Sequence, residues 1–140
     1  MVRRASWVIA VAIFLVGCGA EASLTPAEAA YFPRHDSVLG TGHLALLEGP
    51  LVFGDGCLWI KPSGGERHLI LWPSNTTLGK INDLPVVLGP DHELLAETGS
   101  VARLGCRFTD LDQAQELVGP IPMACSGEAF WIAGTVENRP

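Results

Sequence analysis

This sequence predicts a mainly β domain, built as a small antiparallel barrel or sandwich with one short late helix, and three observations lead there. From His43 onward, turn signals recur at about the eight-to-twelve-residue spacing of all-β domains and separate short runs rich in β-branched and aromatic residues. Only the stretch 110–118 carries apolar residues at helical spacing. Finally, Trp59, Leu69, Ile70, Leu71 and Trp72 are too densely apolar for one three-stranded sheet to bury on both faces, so later strands have to fold back over the first three.

The predicted strands cover 43–53, 57–61, 67–72, 85–88, 93–96, 100–107 and 129–136, with a possible kink in the first at Gly49-Pro50. Gly54-Asp55-Gly56 and Pro62-Ser63-Gly64-Gly65 are the clearest hairpin turns, because each supplies residues free to take positive φ, and together they make 43–72 a three-stranded meander. The segment from Ser74 to Leu84 reads as the longest polar loop, of the kind that often carries recognition. Thr109-Asp110-Leu111-Asp112 opens the helix, Leu111, Ala114, Leu117 and Val118 share one face, and Gly119-Pro120 ends it. A closed barrel removes exposed strand edges, and a five-stranded OB-like barrel is the nearest common solution. The late helix departs from that pattern, whose usual helix falls between the third and fourth strands.

The chain has 140 residues, 48% of them hydrophobic, with 9 basic and 15 acidic side chains and a formal charge of -6. That length excludes a multidomain enzyme, and the missing basic surplus argues against nucleic acid as a partner. The N-terminus differs from the rest. Arg3 and Arg4 precede an unbroken apolar run from Trp7 to Val16, about 15 Å long as a helix against a hydrocarbon core of about 30 Å. A basic start, a short apolar core and small residues after it form the pattern of a secretory signal peptide. Leu15-Val16-Gly17-Cys18 then resembles the lipobox of bacterial lipoproteins. That resemblance implies cleavage before Cys18, acylation of its thiol, and a membrane partner reached through the lipid; ordinary cleavage near Ala20 or Ala22 is the alternative. The residue after the lipidated Cys is Gly19, not the Asp that tends to retain lipoproteins in the inner membrane, so in a diderm organism the resemblance implies the outer membrane. The expected organisation is a signal peptide at 1–17, a tether at 18–41 interrupted by Pro26, Pro33 and Gly40, and a β domain at 42–140. Within the tether, Thr25-Pro26-Ala27-Glu28 forms a capping box able to start a turn of helix. Removing 1–17 takes away two of the nine basic residues and no acid, so the mature chain is more acidic than the whole.

With Cys18 lipidated, Cys57, Cys106 and Cys125 remain, an odd number that permits one bridge in an oxidising compartment. Chain entropy gives about 4.4 kcal/mol for closing 57 to 125 and about 3.2 kcal/mol for 106 to 125, which does not choose between them. The runs Gly56-Cys57-Leu58-Trp59-Ile60, Leu69-Ile70-Leu71-Trp72-Pro73 and Cys125-Ser126-Gly127 followed by Trp131 resemble small secreted bacterial β domains of unassigned function, over residues 46–134. In that pattern one Cys follows the first hairpin turn and another precedes the last strand. The resemblance therefore implies a Cys57–Cys125 bridge and leaves Cys106 as a small apolar residue or a reactive thiol.

Catalytic and metal chemistry find little footing. His35, His43, His68 and His92 lack the short ligand spacings of metal sites, and Asp91-His92-Glu93 reads as a solvated turn after Gly89-Pro90. Ser37, Ser63, Ser74, Ser100 and Ser126 lie in no nucleophile motif, Gly40-Thr41-Gly42 lacks the helix of a phosphate loop, and no cofactor or metal is implied. Trp59 and Trp72 end adjacent strands and Trp131 falls in the closing strand. The three indoles either fill the core or, with His68, line a mouth for a flat ligand. The expected protein is a non-catalytic binding or structural lipoprotein of the cell envelope with an envelope protein as possible partner. A small-ligand or metal-binding lipoprotein and an envelope hydrolase are the alternatives.

Overall fold

The structure, a computed structural model, describes residues 25, 29–37, 45–127 and 129–138; the predicted signal peptide, Cys18 and His43 lie outside them. The described strands are β1 (Arg34–His35), β2 (Ala45–Gly54), β3 (Cys57–Ile60), β4 (His68–Pro73), β5 (Thr77–Ile81), β6 (Leu84–Leu88), β7 (Leu94–Glu97), β8 (Val101–Thr109) and β9 (Ala129–Asn138). One helix, α1 (Leu111–Val118), and a turn of 3-10 helix at Met123–Cys125 separate β8 from β9.

The first hairpin turns fall where their glycines predict, and β2, β3 and β4 form the expected antiparallel meander. β8 then pairs antiparallel with β2, β9 pairs antiparallel with β8, and β9 returns to lie parallel to β4. The ring β2-β3-β4-β9-β8 is closed. It is a five-stranded Greek-key barrel, the architecture of the OB class, with its helix displaced to the connection before the last strand. Strand β2 is continuous through Gly49-Pro50, where its pairing passes from β8 to β3, and a side chain at Gly49 would lie 2.8 Å from the Lys61 carbonyl, so only glycine admits that close approach.

Period-two alternation sorts the core into an inside and an outside. Leu51, Leu58, Ile60, Ile70, Trp72, Leu104 and Trp131 fill the barrel, joined by Val87 and Ala96 from the second sheet, β5-β6-β7. The alternate residues Cys57, Trp59, Leu69, Leu71, Phe130 and Ile132 face outward and are buried beneath Ala114, Ile121 and the partly buried Leu111, Leu117 and Val118. The helix holds its place through Asp110, whose carboxylate accepts from the Gln113 N–H at 2.9 Å.

Two segments differ from the sequence reading. The polar loop expected at 74–84 contains β5, which pairs along its whole length with β6 through a two-residue turn at Asn82-Asp83, both at positive φ. The tether expected at 18–41 is partly folded: Arg34–His35 lies parallel to the end of β4, the Tyr31 N–H donates to the Gly56 carbonyl at 2.7 Å, and Trp72 N–H to the Pro33 carbonyl at 2.9 Å. Residues 31–37 are thus a strap on the barrel. Of the capping box, the structure describes one turn-closing bond, from the Ala29 N–H to the Thr25 carbonyl at 3.0 Å.

Cys57 and Cys125 are bridged, with Cα atoms 5.9 Å apart, tying the start of β3 to the segment that leads into β9. Replacing both by alanine is expected to lower unfolding stability by about 2–4 kcal/mol, read as a reduced urea midpoint, because the bridge closes a 68-residue separation.

Candidate functional site

The structure separates the residues that were grouped as a mouth. Trp59, Trp72 and Trp131 have no exposed surface. Trp59 lies on the outer face beneath α1; its indole N–H donates to the Gly54 carbonyl at 3.1 Å and the Arg67 guanidinium sits 4.1 Å from the ring centroid. Trp72 points into the barrel, where Phe32 of the strap stacks on it at 5.7 Å with planes 21° apart. Trp131 is also internal and packs edge-on to Phe108 at 4.7 Å, with His68 5.4 Å from Phe108. Of the two alternatives for the indoles, the described residues fit core filling: Trp72 and Trp131 lie inside the barrel, Trp59 lies on the opposite face, and His68 packs against Trp131. Phe108, 61% exposed and absent from the sequence reading, completes that cluster.

The described histidines, His35, His68 and His92, form no metal site. Among the described residues no group of three or more His, Cys, Asp or Glu side chains is placed to hold a metal ion. His92 is an exposed turn residue at positive φ, and the neighbouring Glu93 carboxylate accepts from the Asp91 N–H at 2.9 Å. Cys106 is buried and free at a β-bulge against β9; burial pushes its thiol above the ordinary range, partly opposed by the Arg107 charge.

His35 is the exception, buried with both ring nitrogens engaged. Its Nε2 lies 2.9 Å from the Ala133 carbonyl, which can only accept, so Nε2 carries a proton. Nδ1 of the neutral ring therefore accepts from the Ser37 hydroxyl at 2.8 Å. A serine on an oriented imidazole is two-thirds of a nucleophile arrangement. The third member is a backbone carbonyl, because the side chain of Asp36 projects away from the ring to the surface recess described next. The same bonds fasten the strap to β9 at a point where β9 has already parted from β4.

Beside His35 the strap, the β4–β5 turn and the end of α1 enclose an open recess of about 460 Å³, lined by Tyr31, Phe32, Pro33, Arg34, Asp36, Ser74 and Val118. Extended backbone turns His35 inward and puts Arg34 and Asp36 on the outer side. The Arg34 guanidinium donates to the Thr76 carbonyl at 3.3 Å. Tyr31 is half-buried, its hydroxyl oxygen is shielded from water without a hydrogen-bond partner among the described residues, and burial pushes its phenol above the usual range. Sequence reasoning missed this site because it took residues 31–36 for spacer. The alternation of Tyr31, Phe32, Arg34 and Asp36 around a buried histidine was the available signal.

No family model matches the chain, and no solved structure matches it. Among curated proteins, 43 residues (31% of this chain) are 44% identical to a stretch of 5-aminolevulinate synthase 1 from Cereibacter sphaeroides, of which they span 10%. A tenth of an enzyme's length is too little to bring its activity across.

His35→Ala is expected to cost about 1–3 kcal/mol of unfolding free energy, because the buried Ala133 carbonyl loses its donor. Urea titration of the variant against the parent chain checks this, and His35→Gln, which keeps a donor amide, is expected to recover part of the loss.

Proposed function

We propose that this chain is a lipid-anchored protein of the bacterial cell envelope whose barrel binds or scaffolds and does not catalyse. The observation that carries the reading is Leu15-Val16-Gly17-Cys18 directly after a short apolar run with a basic start. The buried Cys57–Cys125 bridge supports it, since such bonds persist in oxidising compartments outside the cytoplasm. No helix of the described residues is long and apolar enough to cross a membrane, so attachment in this reading falls to the acyl chains on Cys18.

The strap sets the reach of the anchor. Twelve residues separate Cys18 from Tyr31, which is bridged to the barrel, and the thirteen steps between the two span about 45 Å when fully extended. The domain is then held within about 45 Å of the bilayer, and an envelope protein or a small molecule in that layer is its partner. Nucleic acid is a poor fit. The acidic chain repels phosphates, and the outer face of β3 and β4, the surface by which OB barrels take up oligonucleotides, lies under α1. The Ser37–His35 pair is the one observation favouring the hydrolase alternative, and it lacks the carboxylate of a full triad.

Cys18→Ala is expected to abolish incorporation of a palmitate label and move the protein from the membrane to the soluble fraction. Continued labelling of the variant, or its retention in the membrane pellet, contradicts the anchor.

A further inference from the structure

We propose that the recess between the strap and the end of α1 binds a small zwitterion of the α-amino acid type, with its carboxylate on Arg34 and its ammonium on Asp36. The proposal rests on reading the barrel as a binding domain and not on the anchor at Cys18.

Three features of the recess converge on that chemistry. The first is a pair of opposite charges that share a wall without neutralising each other. Arg34 and Asp36 are two residues apart on extended backbone, about 6.6 Å at the Cα atoms, and both line the recess. Even so, the Arg34 guanidinium has one protein partner among the described residues, the Thr76 carbonyl, and Asp36 has none. That single bond fixes the guanidinium while leaving further N–H donors for a ligand carboxylate. A simple anion would meet Asp36 and a simple cation would meet Arg34, so each is disfavoured by one wall. A molecule carrying both charges satisfies both.

The second feature is the Ser74 side chain, which adds a hydroxyl to the wall, able to donate to a ligand carboxylate or accept from its ammonium.

The third is shape and composition. About 460 Å³ lies within the range of small-molecule sites, and Phe32, Pro33 and Val118 give a narrow apolar wall within a mainly polar lining, enough to touch a short aliphatic side chain. Phe32 stacks on Trp72, so occupancy of that wall is coupled to an indole inside the barrel and can be read by its fluorescence.

The experiment titrates the full chain, purified in detergent, with leucine, and in parallel with isovalerate and isopentylamine, which each keep one of leucine's charges. Binding is followed by calorimetry and by amide chemical shifts. The expected result is leucine binding with Kd on the order of 0.1–1 mM, shifts concentrated at residues 31–36, 74 and 118, and at least about tenfold weaker binding of both single-charge analogues. Arg34→Gln and Asp36→Asn, both at exposed positions outside the core, are each expected to weaken leucine about tenfold or more. Met123→Ala, at another exposed position, is expected to leave it unchanged. Absence of leucine binding at about 10 mM, isovalerate binding as tightly as leucine, or unchanged affinity in folded Arg34→Gln overturns the proposal. Because the measurement uses purified protein in solution, its failure leaves the membrane anchor untouched, and failure of Cys18 labelling leaves the recess untouched.

Discussion

The parallel pairing of β4 with β9 is the contact on which the rest of the molecule depends. Without it the strands would form an open sheet with β4 and β9 at its edges; with it the ring closes and Ile70 lies opposite Trp131. Closure also forces β4 to be apolar on both faces. Ile70 and Trp72 look into the barrel while Leu69 and Leu71 look out beneath α1, so the strand reads as an unbroken apolar run with no polar side. The outward face has to be covered, and the long β8–β9 connection supplies the cover as α1, Ile121 and Cys125. The displaced helix is the consequence: it lies where the outer apolar surface is.

The same strand organises the strap. β9 pairs with His68 to Leu71 and then diverges, and β1 takes the vacated edge at Trp72 and Pro73. Three bonds hold the exchange together: Trp72 N–H to Pro33, Ser74 N–H to His35, and the His35 ring to Ala133. Phe32 stacks on Trp72 at the same point, and Tyr31 bridges to Cys57, the residue fixed by the disulfide. In the proposed function, any pull on the anchor would therefore be delivered to the seam of the barrel and its covalent bridge. The recess lies between that seam and the end of α1, which places a ligand where it would add contacts between strap and helix.

Most of the barrel was legible because its strands alternate in the ordinary way and its first turns use glycine. Residues 57–60, 68–73 and 111–118 follow from apolar pattern and punctuation alone. Strand β5 was not, since Thr77, Gly79 and Lys80 dilute its apolar signal, and its turn uses Asn82-Asp83 at positive φ where glycine would have announced it. The strap was missed for another reason. Its conformation is dictated by an edge of β4 that exists only after closure, and Pro26, Pro33 and Gly40 around it look like spacer. Likewise the three tryptophans could not be allocated between core and mouth before the register was known, because one residue of slip moves every side chain to the other face. The Cys57–Cys125 pairing was reached through resemblance; loop entropy alone did not separate it from Cys106–Cys125.

Closure is tested most directly by native-state amide hydrogen exchange on β4. β3 pairs with β4 at His68 and Leu69 and β9 pairs with it from His68 to Leu71, so the backbone amides of Leu69, Ile70 and Leu71 should open only when the whole domain unfolds, with an exchange free energy equal to the global value from urea titration. Exchange of these amides well below that value, at rates like those of the exposed Ile81–Leu84 turn, would mean that β9 does not close the ring, and the arrangement of helix, strap and recess would have to be rebuilt.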